Sequence, residues 1–127
     1  SWTIRLNKRV IGFVEIDIYS NQAIAETGYF IAETEQGNGF ATEAILAAVD
    51  WAFGQTNVHR IEAGISDWNT ASARVVEKAG FLFEGKSRLN WQYGGRWYDS
   101  LNYAILKTDW QKRRNNEQNT AHKRKLV

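Results

Sequence analysis

The residues Gln36-Gly37-Asn38-Gly39-Phe40-Ala41 form a two-glycine turn that opens onto a stretch of helical period. Glycines here allow φ > 0 and leave backbone N–H groups uncovered by any Cβ. With the free donors of a helix's first turn, such groups make an anion site suited to a pyrophosphate. The turn is not a P-loop, because no Gly-Lys-Ser/Thr follows, nor a dinucleotide fingerprint, because a third glycine and a parallel βαβ context are missing. A plain strand-to-helix connection is the alternative reading. Further on, Asn69-Thr70-Ala71-Ser72 begins a second helix and Glu77-Lys78-Ala79-Gly80-Phe81 closes it. On a helical wheel Ser72 falls within the stripe of Val75, Val76 and Ala79, away from the wet face of Arg74, Glu77 and Lys78. It is either a functional hydroxyl or a small buried serine bonded to its own helix carbonyl. The chain has no cysteine, and its two histidines, His59 and His122, lie far apart. A disulfide framework, a thiolate zinc site, a cysteine nucleophile and a histidine-rich metal site therefore lack residues.

The elements that would position these residues follow from periodicity. Residues 2–6 and 10–19 read as strands joined at Asn7-Lys8-Arg9. In the second, Val10, Val14, Ile16 and Ile18 share one face, with Glu15 and Asp17 on the other. A third strand spans 23–32. Ala41, Ala44, Ile45, Ala48, Val49 and Ala52 predict a helix over 40–53 with a broad buried face. A strand follows at 58–65, then a helix over 70–79, capped by Asn69 and ended by Gly80. Two long strands joined by Gly94-Gly95 form a closing hairpin. The order β-β-β-α-β-α-β-β predicts an α/β (α+β) fold with a mixed, mostly antiparallel sheet and flanking helices.

Composition agrees with one folded unit. The chain has 127 residues, 43% apolar and 24% charged, which suits a single globular domain. It holds no apolar run of about 18 residues and no signal-peptide pattern, so the expectation is a soluble, cytoplasmic, metal-free chain without membrane contact. The net charge of +2 is unevenly spread. Residues 1–110 carry 10 Lys/Arg against 13 Asp/Glu; residues 111–127 carry six Lys/Arg against Glu117 alone. That last stretch shows no apolar period and reads as a flexible basic tail. It is either simply solvated or a weak, salt-sensitive contact to RNA or ribosome.

Taken in order, the motifs resemble the GNAT superfamily of acyl-CoA N-acyltransferases. Gln36, Gly39 and Ala41 match its Q/R-x-x-G-x-G/A loop, and Asn69, Ser72, Glu77, Lys78, Gly80 and Phe81 match the motif that follows. The wider texture, from ETGYFIAETEQGNGFATEA through FEGKSR to GRWYDSLNYAIL, is similar to the RimJ/RimL-like branch, over residues 2–110. The resemblance implies acetyl-CoA as acyl donor and a primary amine as acceptor, a peptide or protein N-terminal α-amine ahead of small amines. Direct attack in a ternary complex is implied. The alternatives are an acyl-CoA-binding module without turnover, or a ribosome- or RNA-associated protein using the tail.

Residue by residue, the resemblance implies that the backbone of Phe30, Ile31 and Ala32 pairs with the pantetheine arm. Gln36, Gly37, Asn38, Gly39, Phe40, Ala41 and Thr42 receive the pyrophosphate. Asn69 contacts the pantetheine end, and Ser72 lies near the sulfur. Many family members carry a tyrosine seven residues after the motif asparagine; here that position is Val76. A thiol leaves more readily than an amine, so a hydrogen bond from Ser72 to the developing thiolate can replace a full proton donor. Deprotonating an α-amine at neutral pH costs about 1 kcal/mol, a lysine side chain about 4. A weak base therefore serves an α-amine, and Glu26 on the third strand is the candidate; its other reading is a solvated strand glutamate. Asp67 and Asp99 are reserves. The family normally opens with a further strand and one or two helices, which this chain is expected to lack. A sheet edge and apolar face left open in this way favour a homodimer or swapped assembly.

Overall fold

The computed structural model describes residues 2–6, 9–19, 23–31, 37 and 39–126. Six strands form one sheet: β1 (Trp2–Leu6), β2 (Arg9–Tyr19), β3 (Ile24–Ile31), β4 (Arg60–Ser66), β5 (Leu82–Tyr93) and β6 (Arg96–Leu106). Their spatial order is β1-β2-β3-β4-β6-β5. Only β3 and β4 run parallel; every other neighbouring pair is antiparallel. Helices α1 (Phe40–Gln55), α2 (Thr70–Lys78) and α3 (Lys107–Leu126) complete the chain. The mixed, mostly antiparallel sheet and the element order up to Leu106 agree with the periodicity.

One core holds the helices to the sheet. Ile45, Val49, Ala52 and Phe53 of α1 meet Val14, Ala25, Ile61 and Ile105 of the strands, and Val76 and Ala79 at α2 join the same cluster. Burial of each of the Ile, Val and Phe side chains among them stabilises the fold by about 1.5–3 kcal/mol. On the opposite sheet face Phe13, Asp17, Glu26 and Phe30 are exposed. Strand alternation thus separates a helix side from an open side.

Three expectations need correction. The parallel βαβ context read as missing around the glycine turn is present, because β3 and β4 pair in parallel and α1 connects them. In β2, Ile11 is buried at 3% exposure while Val10 is exposed at 52%. The cause is a shift in the β1–β2 register at Ile4/Arg5, where Ile4 faces Gly12 and Arg5 faces Val10. The extra residue reverses the alternation there. Ile18 is exposed as well, at the far end of the strand.

Residues 111–126, expected as an irregular tail, continue helix α3. Its first turns carry the anchors. The Trp110 ring packs on Phe53 at 5.5 Å, and its Nε1 donates to Asp50 at 2.7 Å. Arg113 donates to the Ala79 carbonyl at 3.0 Å and pairs with Glu117 at 3.4 Å, one turn on. One tryptophan and two polar clips do what an apolar stripe does elsewhere, so hydrophobic period gives no sign of this helix. No helix among the described residues is long and apolar enough to cross a membrane.

Candidate active site

The glycine turn delivers the chain to α1 as the sequence demands. Gly39 is the N-cap, at φ 79° and ψ 2°, and offers no side-chain cap. The N–H of Glu43 donates to the Gly39 carbonyl at 3.0 Å, which leaves the amides of Phe40, Ala41 and Thr42 as first-turn donors. They face a cavity of about 360 Å³, walled on the far side by Asn69, Ser72 and Val75 of the α2 region. Arg74 and Lys78 also line it. Two cations, a helix N-terminus and a turn at positive φ all favour phosphate. A Cβ on Gly37 or Gly39 would meet nothing within 4 Å, so open space lies where an anion must approach. These residues fit a pyrophosphate. Gln36, Asn38 and Ala32 lie outside the described residues.

The second feature is a split in the sheet. β3 and β4 pair only at Ile24↔Arg60, Ala25↔Ile61 and Glu26↔Glu62. Beyond that rung β3 runs on to Ile31 and β4 to Ser66 without bonding each other. The gap holds a cavity of about 210 Å³ between Thr27–Tyr29 and Ala63–Ser66, closed by Asn69, Ser72 and Val76. Along Gly28–Ile31 the backbone groups of β3 that point away from β2 face this gap and are open to an extended ligand arm, the role expected of Phe30 and Ile31.

Asn69 fixes the start of α2. Its side chain accepts from the Ser72 backbone N–H at 3.1 Å, the cap expected from the sequence. Ser72 Oγ accepts from the Tyr29 hydroxyl at 2.8 Å. The serine side chain therefore meets a neighbouring strand. Burial pushes the Tyr29 phenol up from its ordinary value. Val76 is 1% exposed, a core residue that also closes the inner end of the split. Asn69→Ala should cost about 1 kcal/mol in chemical denaturation and also weaken acetyl-CoA binding in calorimetry. A loss of stability alone would make Asn69 a cap and nothing more.

Glu26 lies elsewhere. It projects to the open side, in a second cavity of about 540 Å³ that includes Tyr19, Arg60, Glu62 and Trp91 but not Ser72. Yet Glu26 and Glu62 form the last paired rung before the split, and Ala63, Gly64 and Ser66 wall both this cavity and the split. The two candidate catalytic residues are thus on opposite sheet faces at the same gap. Glu62 is tied down: it accepts from the Tyr19 hydroxyl and pairs with Arg60 at 3.0 Å. The Glu62 carboxylate, then burial, pushes Tyr19 up to about 12. Arg60 also pairs with Glu84 and holds its carboxyl below the usual range.

The reserve carboxylates have other settings. Asp99 Oδ1 accepts from the Leu89 N–H at 2.8 Å, and Lys86 lies 3.7 Å from Asp99 Oδ2. Leu89 sits at φ 43° in a bulge of β5, where the register jumps from Ser87↔Ser100 to Trp91↔Tyr98. Asp99 stabilises that bulge. Asp67 is exposed in the turn before α2.

Sequence reasoning passed over Tyr29, Arg74, Lys78 and Glu62. Alternation along β3 puts Tyr29 on the face of Ala25 and Thr27, which was the available signal. The others need the strand pairing and helix placement.

The fold is shared with known proteins. A family profile described as "Acetyltransferase (GNAT) domain" matches residues 1–82. A probable N-acetyltransferase of Bacillus subtilis, YjcK, is 43% identical over 103 residues, which are 80% of this chain and 57% of that protein. The solved structure of a mutant form of the Vibrio cholerae spermidine N-acetyltransferase SpeG superposes with a TM-score of 0.78 at 31% identity, covering 86% of this chain and 65% of that one. A ribosomal-protein alanine acetyltransferase from Vibrio fischeri gives 0.75 at 30% identity, covering 81% and 57%. The chain therefore spans less than two thirds of the length of these relatives.

Proposed function

The chain belongs to the GNAT acetyltransferase domain family, and from that premise we propose that it transfers the acetyl group of acetyl-CoA to a primary amine. The observation that carries this is the β3–β4 split, flanked by a phosphate-suited helix N-terminus on one face and a carboxylate-lined cavity on the other. Acetyl-CoA supplies an activated thioester carbonyl. The residues of this chain do the rest. The amides of Phe40–Thr42, the turn at Gly37–Gly39 and the cations Arg74 and Lys78 hold the pyrophosphate. The free backbone of β3 at Phe30 and Ile31 orients the pantetheine arm, and Asn69 meets its end. Ser72 donates to sulfur as charge develops there. Holding both reactants at one gap is worth several kcal/mol of the barrier, about 7–11 at the upper end.

The acceptor enters from the open side, and Glu26 takes its proton directly or through water. A peptide α-amine, with pKa about 7.7–8.0, needs little help from a base and is the favoured acceptor. Spermidine and lysine side chains are the competing amines. The assay is thiol release from acetyl-CoA with a lysine-free peptide, a peptide bearing only a lysine amine, and spermidine. The α-amine peptide should give the highest kcat/KM. Acetyl-CoA binding without release for any amine would favour a binding module instead. Arg113 and Arg114 are engaged by Ala79, Glu117 and Asp50, which weighs against a tail free for RNA.

Glu26→Gln should lower the acidic limb of the pH–rate profile, with most of the deficit recovered at high pH, where the amine is already free. A deficit equal at all pH values would remove Glu26 as the base.

A further inference from the structure

Ser72 has one O–H and two lone pairs, so a neighbouring donor decides where its own proton points. That donor is Tyr29. Its hydroxyl lies 2.8 Å from Ser72 Oγ, and both residues line the phosphate-side cavity and the split alike. The serine backbone is already fixed by the Asn69 cap, and Tyr29 is fixed by a strand whose preceding alternate residues, Ala25 and Thr27, are buried. Among the described residues, Tyr29 is the only side-chain partner of Ser72 Oγ.

We propose that Tyr29 is a positioning residue for Ser72, its phenol filling one serine lone pair so that the serine O–H is aimed into the split and strengthened as a donor to the departing sulfur. This rests on the acetyl-transfer reading above. Hydrogen bonds in series polarise one another, so a serine that accepts from a phenol donates more strongly. Burial keeps the phenol protonated at neutral pH, as the role demands. No proton leaves Tyr29 in the step. The amine's electron pair makes the C–N bond, the C–S pair goes to sulfur, and the proton lost by nitrogen departs on the Glu26 side. Val76 is buried at the position where the family resemblance leads one to expect a tyrosine, so the Tyr29–Ser72 hydroxyl pair acts without it.

The test reads the thiol of bound CoA, titrated by the ultraviolet absorbance of its thiolate, in the wild type, Tyr29→Phe, Ser72→Ala and the double variant. Titratable groups on the cavity walls are Tyr29, Arg74 and Lys78, and the two cations are the same in all four proteins. Tyr29→Phe should raise the bound-thiol pKa by about 0.5–1 unit, Ser72→Ala at least as much, and the double variant no further. In turnover, kcat should fall roughly three- to tenfold with the acetyl-CoA KM and thermal midpoint nearly unchanged. The deficit should shrink with an acetyl thioester of a more acidic thiol. A Tyr29→Phe pKa equal to or below the wild type, or a double variant whose shifts add, would overturn the proposal. So would a fall in kcat that is matched by a rise in KM and a drop in melting temperature. If the wild type bound no CoA and released no thiol, the acetyl-transfer reading itself would fall. If it did both and Tyr29→Phe matched it, only the role of Tyr29 would.

Discussion

Ser72→Ala is expected to lower kcat roughly 10- to 100-fold while acetyl-CoA affinity moves less than about threefold. The serine hydroxyl lies in the wall shared by the phosphate-side cavity and the split. A bond to sulfur there is weak while the thioester is intact, because sulfur then carries little charge. It strengthens as the C–S bond breaks, so its loss falls on the transition state and not on binding. One charge-assisted hydrogen bond is worth about 1.5–3 kcal/mol, which is the origin of the range. The fold should tolerate the change, because the cap uses the Ser72 backbone N–H and not its side chain. The deficit should be nearly flat with pH, unlike that of Glu26→Gln. Full kcat in Ser72→Ala, with chemistry shown to be rate-limiting, would leave positioning as the whole of catalysis.

Gly39→Val should weaken acetyl-CoA binding tenfold or more, about 1.4 kcal/mol or above. Two effects combine. At φ 79° a β-branched residue is strained by about 1–3 kcal/mol, and relief of that strain must turn the amides that open α1. The added side chain also projects into open space on the cavity wall, where a Cβ would meet no protein atom within 4 Å. Strain borne without any movement of those amides would lower stability and leave affinity intact. Calorimetric titration of the folded variant separates the two, and Gly39→Ala should fall between it and the wild type. Unchanged affinity in folded Gly39→Val would remove the pyrophosphate site from the glycine turn.

Much of this arrangement is legible in the chain, and the exceptions share a cause. Asn69, Gly80 and Gly94-Gly95 act through local backbone geometry, so α2 and the closing hairpin appear where their residues put them. The stripe of Ile45, Ala48, Val49 and Ala52 reports the buried face of α1 for the same reason. Helix α3 escapes because its anchor is tertiary: within the helix Trp110 has no apolar neighbours at helical spacing and finds Phe53 instead. Ile11 escapes because a bulge depends on the partner strand's register. Within the site, Asn69, Ser72 and the glycine turn come together as their spacing suggests. Glu26 faces away from Ser72, because parity along β3 sends residue 26 to the side opposite Tyr29. That the two still share one gap depends on where β3 and β4 cease to pair, at Glu26↔Glu62. Pairing such as Ile24↔Arg60, between residues far apart in the chain, leaves no local mark.

The central claim is that donor and acceptor approach one split from opposite faces of the sheet and react directly. Initial rates of thiol release over a grid of acetyl-CoA and α-amine peptide concentrations test it most directly. The arrangement predicts saturation in both reactants and intersecting double-reciprocal lines, the pattern of a ternary complex. Parallel lines, with an acetylated enzyme isolated in the absence of amine, would contradict it.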